Sequence, residues 1–225
     1  MNEKKLHAYG NKNRHFLLAL HSCSETFGVS TLDLRNKQRG PVTATFDVGR
    51  SLSNNIFNCI EEIIPKSTWS EITRIGVAIG PGRFTGTRLS VVLARTLAQQ
   101  LNCYLDGVSS FRLMAPRLAL NLKQVDRKNP FWIVNKLERR GIVGGKYQIK
   151  ENKSCNKIEN DVIEIIAPHL IKVGESIIPS INAIDNISTD VIELLNYTRK
   201  RHESKHVSNW KTVKPIYPTS PVDNI

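Results

Sequence analysis

The stretch Ile75–Leu101, IGVAIGPGRFTGTRLSVVLARTLAQQL, passes from an apolar run through a glycine-rich turn into a long amphipathic segment. The β-branched residues Ile75, Val77 and Ile79 predict a buried strand, and Gly80-Pro81-Gly82 predicts the tight turn that ends it. Beyond the turn, apolar residues recur at helical spacing and predict one core-facing side: Leu89, Val92, Leu93, Leu97 and Leu101. The chain is therefore expected to be organised around this strand, turn and helix.

A glycine-rich loop before a helix is a typical phosphate site, because backbone amides and the helix dipole attract anions. Here the pattern is Gly-x-Gly-x-x-x-Gly over residues 80–86, and it lacks the Lys-Ser/Thr pair of a P-loop. The spacing favours a structural turn over a nucleotide site, with Thr85 or Thr87 capping the helix.

The flanking segments predict further strands and helices. Upstream, three strands are expected at 16–20, 26–34 and 42–48, followed by a helix from Ser51 that stops at Pro65. Downstream, Tyr104–Val108 predicts another strand. The predicted order is β-β-β-α-β-α-β, and the fold class is therefore α/β.

The turn and helix also carry a family resemblance. The run GPGRFTGTRLSVVLARTLAQQL, followed by Gly107-Val108-Ser109-Ser110, resembles the signature of the bacterial TsaB (YeaZ) proteins, in which Ser usually stands in place of Arg83. The resemblance implies an actin-like (ASKHA, ribonuclease-H-like) mixed sheet with flanking helices and a smaller second lobe. The signature loop comprises Gly80, Pro81, Gly82, Arg83, Phe84, Thr85, Gly86 and Arg88.

The same resemblance implies a non-catalytic subunit without a cofactor, required for threonylcarbamoyl transfer to the adenosine beside the anticodon of tRNA. The implied partners are a TsaD-like catalytic subunit, a TsaE-like ATPase, tRNA through the complex, and a second copy of the chain. Actin-like ATPases place an Asp near the end of the opening strand, where this chain has His21. This substitution favours the scaffold over a stand-alone actin-like ATPase or kinase.

TsaB-like proteins are expected to pair with TsaD-like proteins, and with themselves, through two helices of the first lobe, here 51–64 and 87–101. The first helix has more apolar residues than one core-facing stripe needs, and small residues on the second allow close approach. The alternative is that the second lobe covers this surface within the chain. The expected interface comprises Ile56, Phe57, Ile60, Ser90, Ala94, Leu97 and Ala98.

Three segments are expected along the chain: a disordered extension over 1–15, the actin-like lobe over 16–122, and a smaller basic lobe over 123–225. The polar break at 123–130 marks the boundary between the lobes. Two strands are expected at 131–134 and 142–149, and two more at 162–166 and 170–173. A closing helix over Asp190–His206 and a tail end the second lobe.

The formal net charge of +12 suggests a polyanionic partner. Between Arg112 and Lys150, ten Lys and Arg residues stand against two acids. A lysine-rich composition with solvated faces explains the same excess, so both interpretations remain open. The residues expected nearest to tRNA are Arg127, Lys128, Arg139 and Arg140.

His202-Glu203-Ser204-Lys205-His206 matches the H-E-x-x-H motif, in which two histidines one helical turn apart bind zinc. Cations surround the motif, with Lys205 inside it and Arg199-Lys200-Arg201 before it, and they repel a metal ion. A solvated helix end is therefore favoured, no metal site is expected, and a zinc peptidase is the weaker alternative.

The four cysteines, Cys23, Cys59, Cys103 and Cys155, are far apart and form no C-x-x-C pair, which favours a reducing compartment. No apolar run is long enough for a membrane span or a signal peptide. We therefore expect a cytoplasmic protein.

Overall fold

The computed structural model describes residues 14–36, 38–123, 129–138, 140–154 and 157–218, without the side chains of residues 151–160. Contacts between Cα atoms divide the chain into two compact units. Unit 1 contains the described residues up to Val108 together with Ile187–Pro215. Unit 2 contains Ser109–Asn186 and the described residues after Pro215.

Unit 1 is built on a five-stranded mixed sheet. Its elements are β1 (Phe16–His21), β2 (Thr26–Asp33), β3 (Val42–Asp47), α1 (Leu52–Ile63), β4 (Ile72–Ala78), α2 (Phe84–Leu101), β5 (Tyr104–Val108) and, numbered after the helix of unit 2, α4 (Ile187–Glu203). The strand order is β3-β2-β1-β4-β5. The first three strands are antiparallel, whereas β4 pairs parallel with both β1 and β5. The predicted order of elements in this part of the chain is confirmed.

Helices cover both faces of this sheet. On one face, Ile75 and Val77 of β4 belong to the same apolar core as buried residues of α1 and α2. On the other face, α4 lies directly against the glycines of two strands. A Cβ at Gly28 would lie 2.7 Å from Ile187 Cγ2, and a Cβ at Gly76 would overlap Thr198 Oγ1. Because glycine has no side chain, α4 can pack close to the strands at these two positions.

The structure corrects the predicted orientation of α2. Ser90, Ala94 and Ala98 are fully buried, whereas Val92, which was expected in the core, is 57% exposed. The ridge of small residues faces the sheet because it lets the helix backbone lie close to β1 and β4. Three further residues of the expected interface are also buried in unit 1: Ile56, Ile60 and Leu97.

In its described residues, unit 2 contains a four-stranded sheet and one helix. Its elements are α3 (Ser110–Ala119), β6 (Phe131–Leu137), β7 (Gly141–Ser154), β8 (Lys157–Leu170) and β9 (Ser180–Asn182). The strand order is β8-β7-β6-β9, and α3 packs against β7 and β8. The two strands expected at 162–166 and 170–173 are instead one long strand that begins at Lys157 and ends at Leu170.

The division into units differs from the predicted lobes at three places. The closing helix α4 packs on β1, β2 and β4 of unit 1, because their glycines and small residues leave room for it. Helix α3 belongs to unit 2, where its buried residues share a core with the sheet. Residues 14 and 15 are ordered, since His15 is 4% exposed and its N–H donates to Glu71 O at 2.8 Å. Residues 1–13 and 124–128 lie outside the described residues.

In the part of the chain that the structure describes, no helix combines the length and the apolar character that a membrane crossing requires.

We predict that Gly76→Ala lowers the free energy of unfolding by roughly 1–3 kcal/mol, because the added methyl group would overlap Thr198 on α4. Urea denaturation measures this loss. Gly40→Ala is the control, since a Cβ there has no neighbouring atom within 4 Å. Adding Thr198→Ala to Gly76→Ala should recover part of the loss. Equal losses at Gly76 and Gly40 would contradict the close packing of α4 on β4.

Candidate functional site at the glycine loop

The glycine loop joins β4 to α2. Gly80 has a φ angle of +97°, in the region that favours glycine. The residue before the helix is Arg83, and its side chain makes no capping bond. The predicted caps Thr85 and Thr87 are therefore wrong. Thr87 is buried as the fourth residue of the helix, and its hydroxyl has no hydrogen-bond partner among the described residues.

The turn between β1 and β2 packs directly against this loop. The Arg83 N–H donates to the Cys23 carbonyl at 2.7 Å. A Cβ at Gly82 would lie 2.5 Å from Cys23 Cβ, and a Cβ at Gly86 would lie 2.6 Å from Ser22 O. Glycine is therefore needed at positions 82 and 86 because another backbone lies against them.

A buried hydroxyl also joins the turn to α2. Ser22 Oγ lies 2.8 Å from Gly86 O and 2.7 Å from Ser90 Oγ. Ser90 is one of the small residues that face the sheet. The first strand, the glycine loop and the following helix are therefore connected by contacts within unit 1.

His21 lies at the end of β1 and is fully buried. The Cys23 N–H donates to His21 Nδ1 at 3.4 Å, so the histidine supports the turn that follows it. Across the described ranges, no three His, Cys, Asp or Glu side chains are grouped so that they could hold a metal ion.

The remaining loop residues lie at the surface beside a groove. Arg83 pairs with Glu25, and the Arg88 guanidinium lies 4.9 Å from the centre of the Phe84 ring. The groove has a volume of about 380 Å³ and extends from Thr85 to Arg50. The loop thus presents an aromatic ring and cations to solvent, while Pro81 is buried.

Only one residue of the expected partner interface is exposed. Phe57 on α1 is 49% exposed, and its ring lies 6.2 Å from that of Trp69. Val92 and Phe84 on α2 are 57% and 39% exposed. Neither residue belonged to the expected interface, because Val92 was predicted to face the core and Phe84 was counted in the signature loop. The rest of the predicted apolar stripe does belong to the core or pack against it: Leu89, Leu93, Leu97 and Leu101.

His202 and His206 do not have the zinc-binding geometry of an H-E-x-x-H helix. Helix α4 ends at Glu203, and His206 lies beyond it, after Lys205 with a φ angle of +53°. The His206 N–H donates to Arg201 O at 3.0 Å, which closes the helix end. Burial and the positive charge of Arg74 lower the pKa of His202.

A buried ion pair in unit 1 was missed at the sequence level. Arg74 on β4 donates to both carboxylate oxygens of Asp106 on β5, at 2.5 and 3.2 Å, and the two side chains are 1% and 2% exposed. Arg74 also donates to His206 O at 2.8 Å and to Ser208 Oγ at 3.0 Å. The pair therefore fixes the chain that follows α4 to the sheet. The sequence feature that indicates this ion pair is one charged residue in each of two otherwise apolar strands, Arg74 in β4 and Asp106 in β5.

The expected tRNA-proximal residues are only partly described. Arg140 is exposed, whereas Arg127, Lys128 and Arg139 lie outside the described residues. Two other cations of the same basic segment are bonded within unit 2. Arg112 donates to Val162 O at 2.5 Å, and Arg117 donates to Ile184 O.

Comparison with known proteins identifies the family. A family model described as TsaD, tRNA N6-adenosine threonylcarbamoyltransferase, matches residues 46–201. This match spans more than half of the chain, so the chain belongs to that family. No curated protein sequence matches the chain.

Two solved structures from Pseudomonas aeruginosa share the fold. An uncharacterized protein with similarity to peptidase YeaZ aligns with a TM-score of 0.64 and 15% identity, covering 91% of this chain and 100% of that one. YeaZ itself aligns with a TM-score of 0.59 and 16% identity, covering 90% and 99%. The predicted actin-like α/β fold and the resemblance to TsaB (YeaZ) proteins are confirmed.

We predict that Asp106→Asn destabilises the protein by roughly 3–5 kcal/mol, because it leaves the Arg74 guanidinium buried without a counter-charge. Urea denaturation measures the change. Asp47→Asn is the control, since Asp47 is exposed and an Asn side chain can still accept the bond from Thr26. Similar unfolding midpoints for the two variants would contradict a structural role for the ion pair.

Proposed function

We propose that the chain is a non-catalytic subunit required for threonylcarbamoyl transfer to the adenosine beside the anticodon of tRNA. It acts with a TsaD-like catalytic subunit and a TsaE-like ATPase. The observation that carries the proposal is the packing of the turn Ser22–Glu25 against the glycine loop, in a chain that belongs to the TsaD family.

This packing disfavours a nucleotide site at the loop. A phosphate group needs backbone N–H donors around it. At this loop, the carbonyl oxygens of Ser22 and Cys23 lie against Gly86 and Gly82, and one of them already accepts the Arg83 N–H. A carbonyl oxygen carries partial negative charge and repels an approaching anion. His21 also supplies no carboxylate for magnesium. These features support a scaffold over a stand-alone ATPase or kinase.

The zinc-peptidase alternative has less support. Its two histidines do not lie one turn apart on a helix, because α4 ends between them. The carbonyl of His206 accepts a bond from Arg74, which gives this segment a structural role.

We place the partner surface on the outer sides of α1 and α2. Phe57, Phe84 and Val92 are large apolar side chains that remain substantially exposed. Exposed apolar groups of this kind mark protein interaction sites when they belong to one surface. Both helices cover the same face of the sheet of unit 1, and the partner that we propose is the TsaD-like subunit. A second copy of the chain uses the same surface when that subunit is missing.

We further propose a cytoplasmic location. Cys23, Cys59 and Cys103 are buried thiols, as is usual in a reducing compartment. Burial raises the pKa of the Cys103 thiol to about 12, so it stays protonated and unreactive. The proposed tRNA substrate is consistent with the same compartment.

We predict that Val92→Arg weakens binding of the TsaD-like subunit by roughly tenfold or more, because a long cation is introduced into an apolar contact. Co-purification measures binding, and transfer to tRNA by the reconstituted subunits measures activity. Both should fall together, while the melting temperature changes little. Val207→Arg is the matched control, since Val207 is 60% exposed elsewhere in unit 1.

Two results would contradict this proposal. Full binding by a normally folded Val92→Arg variant would show that the partner surface does not include the outer side of α2. ATP hydrolysis by the purified chain alone, abolished by Gly82→Ala in a folded protein, would overturn the non-catalytic role.

For tRNA, we predict that replacing Arg127, Lys128, Arg139 and Arg140 together with Gln weakens its binding by the assembled complex. The slope of log K against log salt should become shallower by about 1 for each phosphate that the complex no longer binds. The control replaces four exposed cations of unit 1 with Gln: Arg39, Lys66, Lys205 and Lys211. Equal slopes for the two variants would show that the positive charge of the basic segment reflects composition alone and does not bind tRNA.

A further inference from the structure

A second cavity of unit 1 lies beside the buried ion pair. It has a volume of about 220 Å³, and it shares no lining residue with the groove at the glycine loop. Its walls are formed by β5 at Asp106, by α4 at Tyr197 and Arg201, and by the segment that contains Ser208, Thr212 and Lys214. This volume is large enough for a small ligand.

The carboxylate in this cavity is already neutralised. Asp106 accepts two bonds from Arg74, and its Oδ1 also lies 3.4 Å from Arg201 Nε. Arg74 has further bonds to His206 O and Ser208 Oγ. Nε and Nη2 of Arg74 are therefore engaged, and Asp106 is held between two arginines.

Two cationic side chains at the cavity, Arg201 and Lys214, have N–H groups that are not used in hydrogen bonds in the described part of the chain. Within the described residues, the Lys214 ammonium makes no hydrogen bond, and the only bond of the Arg201 guanidinium is that from Nε to Asp106. The terminal nitrogens of Arg201 and the three N–H groups of Lys214 thus remain for a ligand. Ser208 Oγ accepts from Arg74, which leaves its own proton to donate.

The charge balance identifies the class of ligand. Arg74, Arg201 and Lys214 carry three positive charges, and Asp106 carries one negative charge, so a formal charge of +2 remains. A phosphate monoester carries about −1.5 to −2 at pH 7, whereas a simple carboxylate carries −1. An arginine fork with a neighbouring ammonium is a common arrangement for phosphate recognition.

We propose that this cavity binds a phosphate-type oxyanion, with Arg201 and Lys214 as its charged ligands and Ser208 as a hydroxyl donor. Asp106 is the positioning residue, since it holds Arg201 through Nε and leaves the terminal nitrogens for the anion. The inference does not depend on the proposed role in tRNA modification, because neither the glycine loop nor the outer sides of α1 and α2 take part in it.

Calorimetric titration of the full chain with inorganic phosphate, at constant ionic strength, tests the site. Lys214→Gln should weaken phosphate binding roughly tenfold through the loss of a charged hydrogen bond, without lowering the melting temperature, because Lys214 is exposed and bonded to nothing among the described residues. Arg201→Gln should weaken it at least as much. Lys211→Gln removes the same charge three residues from Lys214 without lining the cavity, and should leave the affinity within about twofold.

Acetate and adenosine monophosphate complete the experiment. Acetate should bind more weakly than phosphate, and comparable affinity would contradict the charge argument. Tighter binding of adenosine monophosphate than of inorganic phosphate would support the site and assign the anion to a nucleotide, whereas the reverse order would support the site and assign it to free phosphate. The proposal is overturned if wild-type protein binds no phosphate at millimolar concentration, or if Lys211→Gln and Lys214→Gln weaken binding equally.

Discussion

The close backbone contact between the turn Ser22–Glu25 and the glycine loop is the constraint on which unit 1 depends. It holds the end of the first strand against the start of α2, at the point where β1 and β4 lie side by side. The contact requires residues without side chains at positions 82 and 86. A loop that resembles a phosphate cradle in sequence is therefore explained by packing.

Small residues position helices on both faces of the same sheet. On one face, Ser90, Ala94 and Ala98 allow α2 to lie on β4 and β1. On the other face, Gly28 and Gly76 in the strands admit α4. On the first face the small residues belong to the helix, and on the second face they belong to the strands. In both cases small residues are needed because a helix backbone and a strand backbone can come close only where one of them carries small side chains or none.

Much of this unit was predictable because its signals are local. The alternation and apolar runs of β1, β2 and β4, the turn at the glycines and the helical spacing in α2 each lie within a few consecutive residues. The orientation of α2 was not predictable in the same way, since its sequence contains both an apolar stripe and a ridge of small residues. The ridge faces the sheet, Leu93 and Leu97 of the stripe belong to the same core, and Val92 is exposed. This outcome depends on contact with the sheet, which is not local. The same reason explains why α4 was assigned to the wrong unit and why the ion pair was missed, since Arg74 and Asp106 meet only when β4 and β5 are paired.

The ion pair between Arg74 and Asp106 connects β4 to β5 in unit 1 and also forms part of the proposed anion site. Burying two charges costs desolvation energy that their attraction often only partly recovers, and replacing a buried ion pair by apolar residues of similar volume is often neutral or stabilising. One arginine suffices to neutralise Asp106, yet Arg201 contacts the same carboxylate and Lys214 lines the same cavity. Cations gathered in excess of the available negative charge repel one another. This arrangement is unfavourable for stability alone, and an anion bound among the cations offsets the repulsion. The excess of positive charge is therefore better explained by binding than by folding.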